Sequence, residues 1–266
     1  MIRVLTLSWN GLGFLNKLRD GLFRNLDKTG CPYEWYIRSN GCTDGTPDEA
    51  IRWENTKVLA KNHNRDSFSK GVNSLFDLAS PDDSDIILLL NNDIEFISDN
   101  NIKMMISLLK DNAAGMIGSK LYNEDKTISH YGIVISHKYG NLPWNFKSGQ
   151  KSTKYDSYDR KFQAVTAACC VLTSKIFKKV NKLNEDYNWC FEDVDLCLKI
   201  SINENMPIFC CGNTNIIHQT SASLKKNPVN KLFMSHNVNV FKRNWGNKCI
   251  IDHQLYLNNP KYGLAI

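Results

Sequence analysis

The sequence has no long apolar run. Nothing in it approaches the roughly 20 consecutive apolar residues that a membrane-spanning helix needs, so no span is expected. It also lacks any C-x-x-C pair. Its nine cysteines are an odd number, and the close ones stand side by side, as Cys169-Cys170 and Cys210-Cys211. Zinc sites space their ligands, so buried, reduced thiols are expected instead, as in a reducing compartment. No secretory leader is visible. Met1 leads straight into an apolar, strand-like run interrupted only by Arg3, and a cytoplasmic protein is expected, with peripheral membrane association left open. Nor is there a large excess of one charge. A net +6 over 266 residues favours an anionic partner without choosing among a nucleotide, an anionic glycan, a membrane surface and DNA. Internal repeats and low-complexity tracts are absent as well.

What is present suits one α/β domain. Hydrophobic residues make up 42% of the chain, enough for a sizeable core. Residues 2–8 predict a buried strand. Leu15, Leu18, Leu22 and Leu26 then fall on one face of a helix, with Asn10 placed to cap it. Residues 33–38 and 56–60 predict two more strands. A helix follows, with Phe68, Val72, Leu75, Phe76 and Ala79 on its buried face. Ile86–Leu90 is the strongest strand signal, continuous and flanked by polar residues, as for a strand covered on both faces. This alternation predicts βαβ units and a mostly parallel sheet. Further on, strands are expected over 114–122, 128–136, 163–172 and from Pro207 towards His218. Residues 137–160 read as a long loop. A helix should begin near Glu192, and a terminal helix should carry Leu232, Phe233, Val240 and Phe241.

In such sheets, ligands bind beyond the carboxyl ends of the strands. Four constellations lie at such ends. Asn91-Asn92-Asp93 offers a carboxylate and amides, the oxygen donors that Mg²⁺ or Mn²⁺ prefers; Asp93 would equally serve to cap the next turn. Glu192-Asp193-Val194-Asp195 puts three carboxylates at a helix N-terminus, beside Trp189 and Phe191. Helix electrostatics account for one or two of them. Crowded carboxylates raise each other's pKa, which is one way to prepare a general base. His218 ends a strand and is a potential metal ligand, or simply a well-satisfied histidine. Ser39 to Thr46 is turn chemistry, with small residues that let a ligand approach the backbone. Asn10-Gly11-Leu12-Gly13 lacks the third glycine of a dinucleotide-binding turn, and no acid ends the second strand at Ser39, which excludes a nicotinamide-binding reading. No glycine-rich phosphate loop with basic residues lies near the N-terminus, which argues against a nucleotidyltransferase.

Taken in order, these pieces resemble the inverting glycosyltransferase family 2, which has the GT-A fold, with its rhamnosyltransferase-like members as the nearest subgroup. The resemblance runs from residue 2 to about 223. It rests on Thr6 to Asn10, on Ser39 to Thr46, on Ser67 to Asn73, and on the L-N-N-D element at Leu90–Asp93. Residues 115–132, with His130 and Gly132, continue it. The F-E-D-V-D-L-C-L run at Phe191–Leu198 is the most specific part, and His218 with Ser223 closes it. The resemblance implies a GT-A domain over 1–223 and a C-terminal helical extension over 224–266 packed on it. It implies a divalent metal, Mn²⁺ or Mg²⁺, held by Asp93 and His218, and Asp193 as catalytic base with Glu192 beside it. Thr6, Ser8, Asn10, Ser39, Asn40, Asp44, Asn73, Asn91 and Asn92 would hold the donor.

Three departures bear on this. The family usually has Asp where Ser39 stands, so base specificity is open. Ser67 replaces a glycine, and Asn181-Lys182-Leu183 replaces Gly-Gly-Phe. The expected activity is transfer of a sugar, from a UDP- or dTDP-linked donor, to an acceptor hydroxyl with inversion. The acceptor would be a glycan, or less readily a modified base in DNA, since Lys138, Trp144, Lys147, Lys151 and Lys154 form a basic aromatic stretch. The alternative is a catalytically inactive nucleotide-sugar or glycan-binding module of the same fold.

Overall fold

The computed structural model describes residues 1–61, 65–188, 190–219 and 230–265; for residues 61 and 230–233 this covers the backbone only. The first half alternates as the sequence predicts: β1 (Ile2–Ser8), α1 (Leu12–Asp27), β2 (Tyr33–Asn40), α2 (Thr46–Ala50), β3 (Thr56–Lys61), α3 (Phe68–Ala79) and β4 (Ile86–Leu90). Then come β5 (Ile94–Phe96), α4 (Asn101–Asp111), β6 (Met116–Ser119), β7 (Leu121–Tyr122), β8 (Ile128–His130), β9 (Ile133–Ser136) and β10 (Leu142–Asn145). The remainder is β11 (Arg160–Phe162), β12 (Cys169–Thr173), α5 (Ser174–Lys179), α6 (Glu192–Leu198), β13 (Ile208–Cys211), β14 (Ile216–His218), α7 (Asn230–Trp245) and α8 (His253–Asn258).

The main sheet has eight strands in the order β11-β13-β6-β12-β4-β1-β2-β3. β4, β1, β2 and β3 run parallel, while β12 runs antiparallel to both β4 and β6. Period-two alternation divides the core between the two faces. Ile87 and Leu89 join α3, α5, α6 and α7 on one side, and Leu88 and Leu90 join α1 and α4 on the other. The four leucines of α1 that share one helical face are fully buried. A second sheet, β5-β14-β7-β8, stands beside the first.

Three expected strands are each broken in two and a fourth forms only in part, and the breaks have physical causes. The 114–122 and 207–218 strands leave the main sheet together as β7 and β14, tied at the switch by Lys120 N–H to Cys211 O and by the Thr214 hydroxyl to Lys120 O. The 128–136 strand turns at Gly132, whose φ of +83° only glycine adopts readily. Of the expected 163–172 strand only the second part forms, as β12; β11 ends just before it at Phe162, and the two lie three places apart in the sheet order. Residues 163–168 must therefore cross over β13 and β6 and cannot join a ladder.

The expected long loop, 137–160, is largely organised. It holds β10, paired antiparallel with β9, and a short turn at Lys154–Ser157 closed by reciprocal hydrogen bonds between Thr153 and Asp156. Periodicity gave no sign of β10 because this ribbon strand has no buried face of its own. Asn10 does not cap α1 with its side chain; Gly11 occupies that position. Trp189 and Ser223 lie outside the described residues, as do the side chains of Leu232 and Phe233. Among the described residues no helix is long and apolar enough to cross a membrane.

The C-terminal segment is bound to the domain by a buried carboxylate. Asp195 Oδ1 accepts from Trp245 Nε1 at 2.8 Å and from the Tyr187 hydroxyl at 3.4 Å, while Oδ2 faces Lys199 Nζ at 3.5 Å. The last residues then run beside β11, where Lys161 N–H donates to Gly263 O and Ala265 N–H to Asp159 O. Replacing Asp195 with alanine leaves the Trp245 and Tyr187 donors without this acceptor and the half-buried Lys199 ammonium without its counter-charge, held only by Lys182 O. Asp195→Ala should lower unfolding free energy by about 3 kcal/mol, measured by urea denaturation, and Asp195→Asn should cost distinctly less.

Candidate active site

The loops after β1 and β2 are laced to each other. Asn10 Oδ1 accepts from Thr43 N–H at 2.7 Å, and the Cys42 thiol donates to Ser8 O at 3.3 Å. Asp44 Oδ2 accepts from Leu12 N–H at 2.9 Å, at the start of α1, and Oδ1 accepts from Thr46. Partial burial would raise the Asp44 pKa. The hydrogen bonds from the Thr46 hydroxyl, Leu12 N–H and Thr46 N–H outweigh it and hold the carboxylate below its ordinary range. The loop after β4 joins them through Asn92 Nδ2, which donates to the Ser8 hydroxyl at 3.1 Å. A Cβ on Gly11 would sit 2.2 Å from that amide nitrogen. Glycine at 11 is therefore what lets these two loops touch.

Not every candidate for donor binding is at this surface. Thr6 is fully buried, and its hydroxyl accepts from Trp35 Nε1 at 2.9 Å. The Asn73 amide is engaged elsewhere: Nδ2 donates to Leu183 O and to Glu185, and Oδ1 accepts from Leu183 N–H. Asn40 and Ser39 are buried at the end of β2. The Asn40 amide bonds both backbone groups of Asp66, and the Asp66 carboxylate pairs with the buried Arg38 guanidinium. Arg65 lies with its guanidinium carbon 3.5 Å from the centre of the Trp9 ring, which is 39% exposed. Arg38, Arg65 and Asp66 were not singled out from the sequence, where residues 61–67 read only as a polar loop. No local pattern in the sequence joined them to Trp9, which Arg65 meets only through the fold.

Asp93 and His218 are brought together by strand pairing. β5 lies antiparallel to β14, with Ile94 opposite His218. Gln219 N–H donates to Asp93 O at 2.9 Å, and Asp93 Oδ1 lies 3.1 Å from His218 Nε2. That carboxylate oxygen is buried and accepts no hydrogen bond among the described residues. Two donors of this kind fit a hard divalent cation that completes its shell with substrate phosphates and water. Among the described residues no group of three or more His, Cys, Asp or Glu forms an all-protein cage. His130 lies close by but is occupied. Its Nδ1 is 2.8 Å from Asn145 Oδ1, and its Nε2 accepts from Gly132 N–H and Thr166 N–H at 3.2 and 3.3 Å. Burial pushes its pKa down to about 4, with the charge of His218 adding to the effect against the Asn145 hydrogen bond. His130 is thus a neutral positioning group.

Asp193 is reached through the connector before β12. Its Oδ2 accepts from Ala167 N–H at 3.3 Å and its Oδ1 from Val194 N–H at 2.8 Å. Burial raises its pKa, and those bonds together with the Thr166 side chain moderate the rise. Glu192 is buried with Oε2 unpartnered among the described residues. Its pKa is raised by burial first and by the charge of Asp193 second. Asp195 points elsewhere, into the anchor described above. Thr166 was missed from the sequence because the run around it read as strand.

The family model for glycosyl transferase family 2 matches residues 4–180, about two thirds of the chain. The chain belongs to that family. The match stops short of Glu192 and Asp193, so those positions rest on their geometry and on the resemblance of their run. The chain is similar to the O-antigen biosynthesis protein RfbC of Myxococcus xanthus, with 27% identity over 149 residues, covering 54% of this chain and 12% of that one; it thus spans about an eighth of that relative. Among solved structures it is similar to the mannosyltransferase PcManGT from Pyrobaculum calidifontis in complex with GDP-Man and Mn²⁺, with a TM-score of 0.65 at 12% identity over 96% of this chain and 69% of that one. It is also similar to GalNAc-T7 with UDP, GalNAc and Mn²⁺, with a TM-score of 0.58 at 11% identity over 82% and 43%. These likenesses establish the fold, and the mixed sheet of this family member is the GT-A architecture expected from its sequence.

The Glu192–Asp193 pair sets a pH dependence. A carboxyl whose pKa is raised by folding holds its proton more tightly when folded. Its contribution is fully present below its unfolded pKa, near 4.5 for Glu192, and is lost as pH rises toward the folded value. Glu192→Gln removes that loss. The variant should match wild type in stability at about pH 4 and exceed it at about pH 8, by thermal unfolding across pH. Equal stability of the two proteins at both pH values would show that Glu192 is not strained.

Proposed function

We propose that this chain transfers a sugar from a nucleoside-diphosphate sugar to an acceptor hydroxyl, with inversion at the anomeric carbon. The observation that carries the reading is the convergence of Asp93 with His218, and of Asp193 with the Ala167 N–H and the Thr166 side chain, beyond the carboxyl end of β4. The Mn²⁺ complexes of PcManGT and GalNAc-T7 with GDP-Man and with UDP support a nucleotide-linked donor and a divalent metal. The name of RfbC supports a glycan acceptor.

Asp93 and His218 would hold the cation. When bound, a divalent ion neutralises charge on the leaving diphosphate. The laced loops after β1, β2 and β4 present backbone and small polar groups to the nucleoside, at the place where open α/β sheets bind such ligands. Ser8, Asn10, Asp44, Asn91 and Asn92 belong to this rim, Thr6, Ser39 and Asn40 support it from beneath, and Asn73 is tied instead to Leu183 and Glu185. Ser39 leaves uridine or thymidine as the proposed base without a carboxylate to read it.

Asp193 takes the proton. The acceptor oxygen attacks the anomeric carbon as its proton passes to the Asp193 carboxylate, and the bond from that carbon to the diphosphate oxygen breaks. A raised pKa suits a base that must work near neutrality. Hydrogen bonds from Ala167 and Val194 fix its orientation, so little reorganisation is needed in the transition state. A single displacement inverts the configuration.

Three measurements test this reading. Calorimetric titration with UDP, dTDP and GDP should show one nucleotide binding tightly with Mn²⁺ and weakly without it, and Asp93→Asn or His218→Ala should abolish the metal dependence. Asp193→Asn should keep nucleotide affinity while turnover drops on the order of a thousandfold. Normal turnover by that variant would remove Asp193 from the mechanism. Retention of configuration in the first-formed product would remove the single displacement.

A further inference from the structure

Charge is distributed very unevenly over this chain. Residues 137–161 and 242–265 hold ten Lys and Arg against three Asp. That surplus of seven exceeds the +6 of the whole chain, so everything else is slightly negative. The two segments pack against each other. Lys161 N–H donates to Gly263 O, Ala265 N–H to Asp159 O and the Tyr256 hydroxyl to Lys161 O, while residues just outside the first segment add Ile135 N–H to Asp252 Oδ1 and Gln163 to both backbone groups of Ile250. Their acids are turned inward. Asp156 is fully buried against Lys147, Asp252 is buried between Ile135 and Gln163, and Asp159 accepts from Gly212 N–H. Their lysines are turned outward: Lys138, Lys151, Lys154, Lys161, Lys248 and Lys261 are all exposed.

The same region exposes large apolar side chains. Ile250 is 64% exposed, and Ile251, Leu255, Leu257 and Trp144 each about 40% or more. Trp144 is held rigidly by stacking on Tyr139, with ring centres 3.8 Å apart. Single exposed apolar residues need no explanation, but such a concentration marks an interaction surface. Isoleucine and leucine contribute nothing to a phosphate backbone, and a face this basic repels a second copy of itself. Lysine around protruding aliphatic and indole groups is the chemistry of the lipid headgroup boundary.

We propose that this face docks the protein on an anionic membrane surface. The hairpin that carries Trp144 also carries Asn145, whose amide holds His130 beside His218. The docked face is thus joined to the proposed cation site, and the acceptor it points to is lipid-linked. That last step rests on the glycosyltransferase mechanism proposed above; the docking itself does not.

The test is flotation of the full chain with vesicles of phosphatidylcholine alone and with vesicles containing phosphatidylglycerol. Binding should require the anionic lipid and weaken with salt. Each charge reversal, Lys138→Glu or Lys261→Glu, should reduce partition about fivefold or more. Ile250→Ser with Leu255→Ser should reduce binding without changing its salt dependence. All these variants should keep wild-type, Mn²⁺-dependent nucleotide binding, so loss of docking is told apart from failure of the proposed activity. Absence of binding to either vesicle would overturn the proposal. So would equal binding to both, or binding to duplex DNA in a gel shift with none to vesicles.

Discussion

The candidate site hangs on the way the chain enters β12. Residues 164–168 cross from the edge of the sheet to its middle and leave their backbone groups free for other partners. Ala164 O accepts from Ile133 N–H, Thr166 N–H donates to His130, Ala167 N–H donates to Asp193, and Ala168 O accepts from Asn91 N–H. Three separate parts of the chain, around residues 130–133, 193 and 91, are thus fixed by five consecutive residues. Buried peptide groups must find partners. A segment barred from the ladder by topology has to take them from its surroundings, and here those surroundings include the groups proposed to do the chemistry.

That constraint also explains what the sequence showed and what it hid. β1, α1, α3 and β4 were legible because each is covered in a regular way, so burial imposes a period that the residues report. Ile87 and Leu89 alternate with Leu88 and Leu90 between two cores, and no polar residue fits there. Residues 163–172 are nearly as apolar, yet only half of them form a strand. Apolar character records burial, not pairing, and Val165 and Ala167 are as buried in the crossing as Val171 is in β12. The ribbon strand β10 failed in the opposite direction, being paired but not buried. As for the site, Asp93 and His218 lie 125 positions apart and meet only because β5 pairs with β14. Residue type could nominate each of them, but the register that joins them is a property of the sheet.

The three carboxylates at the head of α6 show how one short motif divides its duties. Successive residues on a helix are about 100° apart, so Asp193 and Asp195 face nearly opposite directions. One meets the backbone before β12; the other meets Trp245 and Lys199. The sequence could say that three acids exceed the needs of a helix N-terminus. It could not say that one of the three is an anchor, because Trp245 lies fifty residues away. Glu192, between these directions, is buried with no such partner. This is the kind of strained group that a structure keeps where something else benefits from it.

Burial of charge follows two opposite rules in this molecule. At the head of α6, Glu192 and Asp193 are brought in with few cations, and burial raises the pKa of both. Over residues 137–161 and 242–265 acids are also brought in, but each is spent on local bonds, and the lysines are left outside. The outcome is a basic exterior fastened to the edge of the site through a single hairpin. The match to the family model ends at residue 180, before α6 and before the C-terminal segments that complete this exterior. The loops proposed to face the nucleotide therefore belong to the part of the chain that the family describes. The surface turned toward a partner is built in part from what lies beyond it. Selectivity for a partner needs differential contacts rather than shared ones, and that later part of the chain is where a common transfer chemistry can be given its own acceptor.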